Sequence, residues 1–375
     1  MNILLLGGTG AIGKMVVHIL TKCSDIDVYV TSRKERLSSN GVTYICGNAL
    51  DDLFISKILN EKKYDCIIDF MVYRTEQFEK RVNTILPKVN QYIFISSARV
   101  YADSKKPLHE NSNRLLNVCQ DHAFVLSNSY AISKAKEENI LVSSLLKNWT
   151  IVRPYITYND NRLQLCNFEK EQWLIRALKG KTVVIGEDIL KRQTSLTYSY
   201  DVAYAISKLV NNSNALGEIF QIVNESHYSW GEVLELYKTY FKKCTGREMK
   251  IAYVNDSNIF SWKDGDYYVV KYDRLYDRIF DSSKIGKLIS HHKYTSIQDG
   301  LYNCFSKFID TYNTNLNYKL NWSLEGFLDK ITNERETIFP TKKDKITYLC
   351  FRYLPFNLAN CMRTIYKNII KSNSL

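Results

Sequence analysis

Over its first hundred residues the chain alternates short apolar runs with stretches of helical spacing. Residues 3–6 carry no charge and no polar alternation, the pattern of a strand buried on both faces. Residues 14–20 follow with Met15, Val16, Ile19 and Leu20 turned inward as on a helix. Further strands are predicted at 28–31, 43–46, 64–70 and 91–95, with helical spacing over 76–89. Strands alternating with helices imply a doubly wound parallel α/β sheet, whose ligands sit at the carboxyl ends of the strands. Gly7, Thr31, Met71 and Ser97 fall at those ends. Residues 107–128 read as a polar loop over the site. Beyond it come a helix over 130–146 and a sixth strand over 149–152, closing on Arg153-Pro154. Shorter elements follow: helices over 172–178 and 230–240, strands at 182–185, 218–223 and 250–254, and a helix capped by Asp201 and running to Val210.

The first turn adds chemistry to this pattern. Gly7, Gly10 and Gly13 stand three residues apart between a buried strand and a helix. Gly7 permits the tight turn, Gly10 lets backbone N–H groups approach a pyrophosphate, and Gly13 lets helix and strand pack closely. Thr9, Ala11 and Ile12 complete this cofactor-binding turn. An acid at the end of the second strand would hold the ribose 2′-hydroxyl of NAD. The chain has Thr31-Ser32-Arg33-Lys34 there instead, which suits a 2′-phosphate and favours NADP slightly over NAD. Asn48 is placed for an adenine contact and Met71 for the ligand end of the fourth strand.

Composition narrows the class. The chain has 375 residues, 45% hydrophobic and 24% charged, enough for two modest domains. No apolar run approaches the roughly 18 residues of a membrane span. Met1-Asn2 leads straight into the first strand, so no signal peptide is expected. Nine scattered cysteines without a CxxC pair fit a reducing cytoplasm and exclude a disulfide framework or a zinc site; no metal is expected. His291-His292, the one histidine cluster, reads as a polar loop. Net charge is +12, and residues 337–375 supply about half the excess, with seven Lys or Arg against one acid, Asp344. The rest is only mildly basic, so nucleic acid is disfavoured as a partner. The tail could lie on an anionic membrane surface, dock on another subunit or pack back as helices, the last being favoured.

Tyr130 and Lys134 stand one helical turn apart on one face. A lysine cation close to a phenol favours the phenolate, and such a tyrosine can exchange a proton with a carbinol oxygen while hydride moves at the carbon. The spacing also occurs at Tyr101/Lys105, Tyr204/Lys208 and Tyr267/Lys271. Tyr267 lies in a strand-like run, Tyr101 has no helical pattern, and Tyr204 lies outside the first nucleotide-binding half. Tyr130/Lys134 alone begins the helix after the Ser97 turn, so Ser97, Tyr130 and Lys134 are the catalytic candidates. Ser97 would hydrogen-bond the reacting oxygen, and Lys134 would also hold the cofactor ribose. The plainer role for Ser96 and Ser97 is to cap a turn.

In this order, Gly7-x-x-Gly10-x-x-Gly13, Ile95-Ser96-Ser97-Ala98-Arg99-Val100-Tyr101, Tyr130-x-x-x-Lys134 and Arg153-Pro154 resemble the extended short-chain dehydrogenase/reductases, the NAD-dependent epimerase/dehydratase family. The segments 198–203, 217–224 and 277–285 extend the resemblance to about residue 305. It implies a Rossmann core at 1–155 with 190–224 returning to it, and a smaller α/β substrate domain from 156–189 and 225–305. Residues 306–375 would form a C-terminal helical extension. The implied activity is an NAD(P)-dependent epimerase or ketoreductase acting on a nucleotide sugar, serving surface-polysaccharide synthesis, with a homodimer open. By the same resemblance Arg278, and more weakly Arg274, would meet the nucleotide diphosphate. Ala98-Arg99 replaces the Asp-Glu pair of the sugar 4,6-dehydratases, which argues against water elimination. Asn48, Ala102 and the strand end Ile68-Asp69-Phe70 depart from the family pattern, towards a branch that includes RNA-binding plastid proteins. The alternative is therefore a non-catalytic Rossmann-fold protein that binds RNA or a partner.

Overall fold

A computed structural model describes residues 1–38, 41–261, 264–290, 292–312 and 318–363. His291 and the last part of the basic tail, 364–375, lie outside the described residues. Seven parallel strands form the central sheet: β1 (Asn2–Leu6), β2 (Asp27–Ser32), β3 (Val42–Cys46), β4 (Cys66–Asp69), β5 (Gln91–Ile95), β6 (Trp149–Pro154) and β7 (Glu218–Ile222), in the order 7-6-5-4-1-2-3. Successive side chains on a strand point to opposite faces. Ile3 and Leu5 of β1 therefore join Val16, Val30, Ile68, Val152 and Ile206 on one side. Leu4 and Leu6 join Ile67, Phe78, Phe94, Leu141 and Ile151 on the other. Helices cover both faces, which is why these strands are continuously apolar.

Helix α1 (Ala11–Leu20) follows the glycine turn, and its neighbour across that face is α6 (Ser199–Leu209). On the opposite face lie α2 (Asp52–Glu61), α3 (Thr75–Ile85) and α4 (Tyr130–Ser143). Asp201 does not cap its helix. Tyr198 is the N-cap residue, and Asp201 is buried in the first turn, where it accepts from the Thr295 N–H (2.8 Å) and lies 2.9 Å from His292 Nε2. The run around Tyr267 is helical rather than strand-like, Asp264–Val269 continuing into a π-helical turn, Val270–Arg274. Tyrosine packing against Phe124 and Tyr276 outweighs its β-propensity there.

A second core lies outside the central sheet. It gathers Trp173 of α5 (Lys170–Leu178), Trp230, Tyr237 and Phe241 of α7 (Trp230–Thr245), and Phe305 of α8 (Ile297–Thr311). The chain beyond residue 305 joins this core through Leu324 and Leu328 of α9 (Trp322–Thr332), which pairs with α10 (Lys342–Tyr353). The described part of the tail thus packs back. The lock is a buried charge cluster: Arg176 reaches Glu325 (3.0 Å), Asp329 (2.7 Å) and Glu334 (2.9 Å), while Lys181 and the Tyr348 hydroxyl both donate to Asp329. Removing one member strands the others in a low-dielectric site, at a cost of about 3–5 kcal/mol. Asp329→Ala is therefore expected to lower the melting temperature and to open the chain before Trp322 to limited proteolysis; an unchanged melt and digest would show that the cluster does not hold the tail.

Candidate active site

The carboxyl edge of the sheet and the second core face each other across a cavity of about 650 Å³. The sheet side contributes Gly7, the 10–13 turn, Phe70, Ser97 and Pro154, with Tyr130 at the head of α4. The opposite wall includes Arg162, Gln164, Phe168, Phe260 and Arg274. Two residues come from the tail, Asn321 and Leu324.

The glycine turn fits a dinucleotide. Gly7 has φ +71°, in the left-handed region, and a Cβ there would meet the Met71 sulfur at 2.7 Å. A Cβ on Gly13 would lie 2.6 Å from the Gly8 carbonyl, so only glycine lets α1 start against the turn. At Gly10 a Cβ would meet nothing within 4 Å, leaving an open cradle over the helix N-terminus. That terminus has no side-chain cap and no acid in its first turn, so its N–H groups are available to an anion. Gly10, Ala11, Ile12 and Gly13 would hold the pyrophosphate; Thr9 is half-buried in the turn but off the cavity wall.

The second-strand end is tied to the glycine turn. Thr31 is buried, and its hydroxyl accepts from Gly7 N–H (3.1 Å) and donates to Leu5 C=O (3.4 Å), tying the glycine turn to β2. Arg33 is exposed, and Asn48 is exposed with its side-chain oxygen turned to Leu50 N–H. Arg36, which sequence spacing did not pick out, donates to the Ser32 hydroxyl at 3.1 Å and so stands at the same strand end.

Ser97 combines both roles considered for it. It caps the Ala98–Val100 turn by accepting from Arg99 N–H (3.2 Å), and it lines the cavity. With its lone pair so engaged, its hydroxyl hydrogen remains free to donate. Tyr130 is 36% exposed and stands in the same cavity, with the Arg99 guanidinium 5.2 Å from its ring centre. Behind them Glu138 is fully buried and binds both ends of the Arg153 guanidinium (2.8 and 2.6 Å), Ser96 Oγ (2.6 Å) and Arg114 (3.1 Å). Burial alone would raise its pKa; the Arg153 charge and hydrogen bond, with that of Ser96, hold it below the ordinary value.

Lys134 sits on the same helix as Tyr130 but does not reach the cavity wall. It is 2% exposed, donates to Met71 C=O (3.3 Å), lies 4.3 Å from the Phe94 ring centre and pairs with Glu137 at 3.0 Å. Met71 thus meets the site through its carbonyl and through its sulfur over Gly7. Arg278 is likewise withdrawn: it is fully buried, bound to Asp273 (3.0 Å) and to the carbonyls of Tyr101, Ala102 and Tyr272. A spacing match cannot show that its donors are already used by backbone. Arg274, four residues earlier, lines the cavity instead. Tyr204 stacks on His292 and Tyr101 accepts from Arg153, so neither competing pair enters the site. Lys271 of the fourth pair is held by Asp121 at 3.1 Å.

Residues 3–223, more than half of the chain, match the model of the NAD dependent epimerase/dehydratase family. The chain belongs to this family. Its structure resembles UDP-glucuronic acid 4-epimerase from Bacillus cereus in complex with UDP-glucuronic acid and NAD, with TM-score 0.63, 17% identity, and 83% of this chain against 100% of that one. It equally resembles dTDP-glucose 4,6-dehydratase from Bacillus anthracis in complex with NAD, with TM-score 0.63, 18% identity and coverage of 83% and 97%. A curated relative, chloroplast stem-loop binding protein of 41 kDa b from Arabidopsis thaliana, is 27% identical over 245 residues. That match takes in 61% of this chain and 60% of the relative's length. Among the described residues no group of three His, Cys, Asp or Glu could hold a metal, and no helix is long and apolar enough to cross a membrane.

The Lys134–Glu137 pair gives the site a pH signature. Burial, opposed by Lys134 and reinforced by Asp69 and Glu138, pushes the Glu137 carboxyl from 4.5 up to about 7. The folded state then holds a proton that the unfolded state releases, so this group favours folding below pH 4.5 and loses that contribution as pH rises through about 7. Glu137→Gln is expected to flatten the fall in melting temperature between pH 5 and 7.5 by a few degrees relative to wild type; parallel melting curves would contradict it.

Proposed function

We propose that this chain is an NAD(P)-dependent enzyme that epimerises or reduces a nucleotide sugar at a ring carbinol. The observation that carries this reading is that Ser97 and Tyr130 open into the cavity that also contains the glycine turn. A bound NAD(P) would supply the hydride chemistry. Tyr130 takes or returns the proton on the carbinol oxygen, and Ser97 donates to that oxygen and orients it. Lys134, one turn along the same helix, is held behind the cavity wall by Glu137 and the Met71 carbonyl, and in this reading it meets the cofactor ribose only by leaving them. The division into a Rossmann core and a substrate domain follows from the same reading.

The Thr31-Ser32-Arg33 end, with Arg36 beside it, favours NADP and a reductase that exchanges its cofactor. The similar fold of a UDP-glucuronic acid 4-epimerase solved with NAD favours an epimerase that keeps it. Surface-polysaccharide synthesis in the cytoplasm is the setting that fits either. A second reading, RNA binding without catalysis, is favoured by the stem-loop binding relative.

Tyr130→Phe separates the two. The variant is expected to bind the dinucleotide as wild type does in a fluorescence titration, while turnover of UDP-sugars falls about 100-fold or more. A protein that binds stem-loop RNA but no dinucleotide, or a Tyr130→Phe variant with full turnover, would overturn the enzyme reading.

A further inference from the structure

Arg99 stands where the dehydratase pattern would have an acid, and the structure puts it on the cavity wall with Ser97 and Tyr130. Its guanidinium is one of three gathered on a single buried carboxylate, Asp273. Arg278 takes Asp273 Oδ1 and spends its remaining donors on three carbonyls. Arg274 takes Oδ2 through Nη1, which also reaches the Tyr155 hydroxyl (3.4 Å), and donates to Cys166 C=O (2.9 Å) through Nε, leaving only its Nη2 without a hydrogen bond among the described residues. Arg99 gets only the remainder: its Nε lies 3.7 Å from Asp273 Oδ2 without a hydrogen bond. Among the described residues no acceptor is bonded to the Arg99 guanidinium, although 23% of its side chain is exposed. Elsewhere on the wall Arg162 and Glu169 neutralise each other at 3.1 Å. On a wall that also carries Arg274 and the acid Asp266, Arg99 is thus a guanidinium with no hydrogen-bonded acceptor among the described residues, beside Tyr130. A guanidinium in that state is built for a carboxylate or phosphate oxyanion.

Position decides which oxyanion. The Arg99 guanidinium lies 5.2 Å from the centre of the Tyr130 ring, so an oxyanion that it binds sits close to the group on which Tyr130 acts. In a nucleotide sugar the diphosphate hangs from the anomeric carbon, across the ring from C4. A carboxylate on C5 is the immediate neighbour of the C4 hydroxyl. Building on the nucleotide-sugar reading above, we propose that Arg99 determines specificity by binding a carboxylate on the carbon next to the reacting carbinol, so that the substrate is a nucleotide uronate.

UDP-glucuronic acid and UDP-glucose differ only in the group that this carbon carries, a carboxylate against a hydroxymethyl, and calorimetry with the full chain and NAD present compares them directly. Wild type is expected to bind the acid at least ~10-fold more tightly. Arg99→Met should erase that ratio by weakening the acid while leaving UDP-glucose within about 2-fold, an effect that a purely structural role would not confine to one ligand. Arg99→Lys, which keeps the charge without the planar fork, should retain part of the preference and covers the case in which Arg99→Met fails to fold. Equal binding of both sugars by wild type, or a preference that survives Arg99→Met, overturns the role of Arg99 alone. Failure of both sugars to bind wild type overturns the nucleotide-sugar reading, and this inference with it.

Discussion

One buried carboxylate, Glu138, holds together the three segments that make the site. It takes Ser96 from the end of β5, Arg153 from the end of β6, and Arg114 from the loop that covers α4. Glu138 itself belongs to α4, eight residues after Tyr130. The separation between Ser97 and Tyr130 is therefore fixed by charge-assisted hydrogen bonds rather than by apolar packing alone. Each partner satisfies another: Arg153 also donates to the Tyr101 hydroxyl and to Glu110 C=O, so the turn after β5 is held at both ends. A buried charge of this kind is costly to bring out of water, and it is tolerated because all its oxygens are paired.

Asp273 plays the matching part on the substrate wall, and Asp329 on the tail. Each is a buried acid shared by several cations; Asp329 joins segments about 150 residues apart, while Asp273 holds Arg274 and Arg278 of its own segment. The difference between them is instructive. Around Glu138 both carboxylate oxygens accept hydrogen bonds. Around Asp273 three guanidinium groups share one carboxylate, and the unmatched one faces the cavity. An unmatched charge on a cavity wall marks a candidate ligand site.

Much of this was legible in the sequence. Continuous apolar runs marked strands covered on both faces, and the spacing of Gly7, Gly10 and Gly13 marked a turn whose geometry now forbids a Cβ at Gly13. Tyr130 was separable from three other tyrosines by its place after β5. What sequence could not show was where donors were already spent. Lys134 and Arg278 carry the right charge at the right spacing, yet Glu137 and Met71 hold the first and three backbone carbonyls hold the second. Residues from beyond the matched region were invisible for another reason. Asn321 and Leu324 reach the cavity only because Arg176 and Lys181 anchor Asp329, a contact about 150 residues away in the chain. Arg99 was legible only as a missing acid; its role depends on the shortage of counter-charge at Asp273.

On the proposed function, the cavity beside the glycine turn holds a sugar hydroxyl between Tyr130 and Ser97. A crystal structure of the full chain with NAD and UDP-glucuronic acid tests it most directly. The expected result is the sugar C4 oxygen within hydrogen-bond distance of both the Tyr130 hydroxyl and Ser97 Oγ, with the nucleotide running along the Arg274 wall. A nucleotide sugar bound elsewhere, or one whose ring hydroxyls stay out of reach of Tyr130, would contradict it.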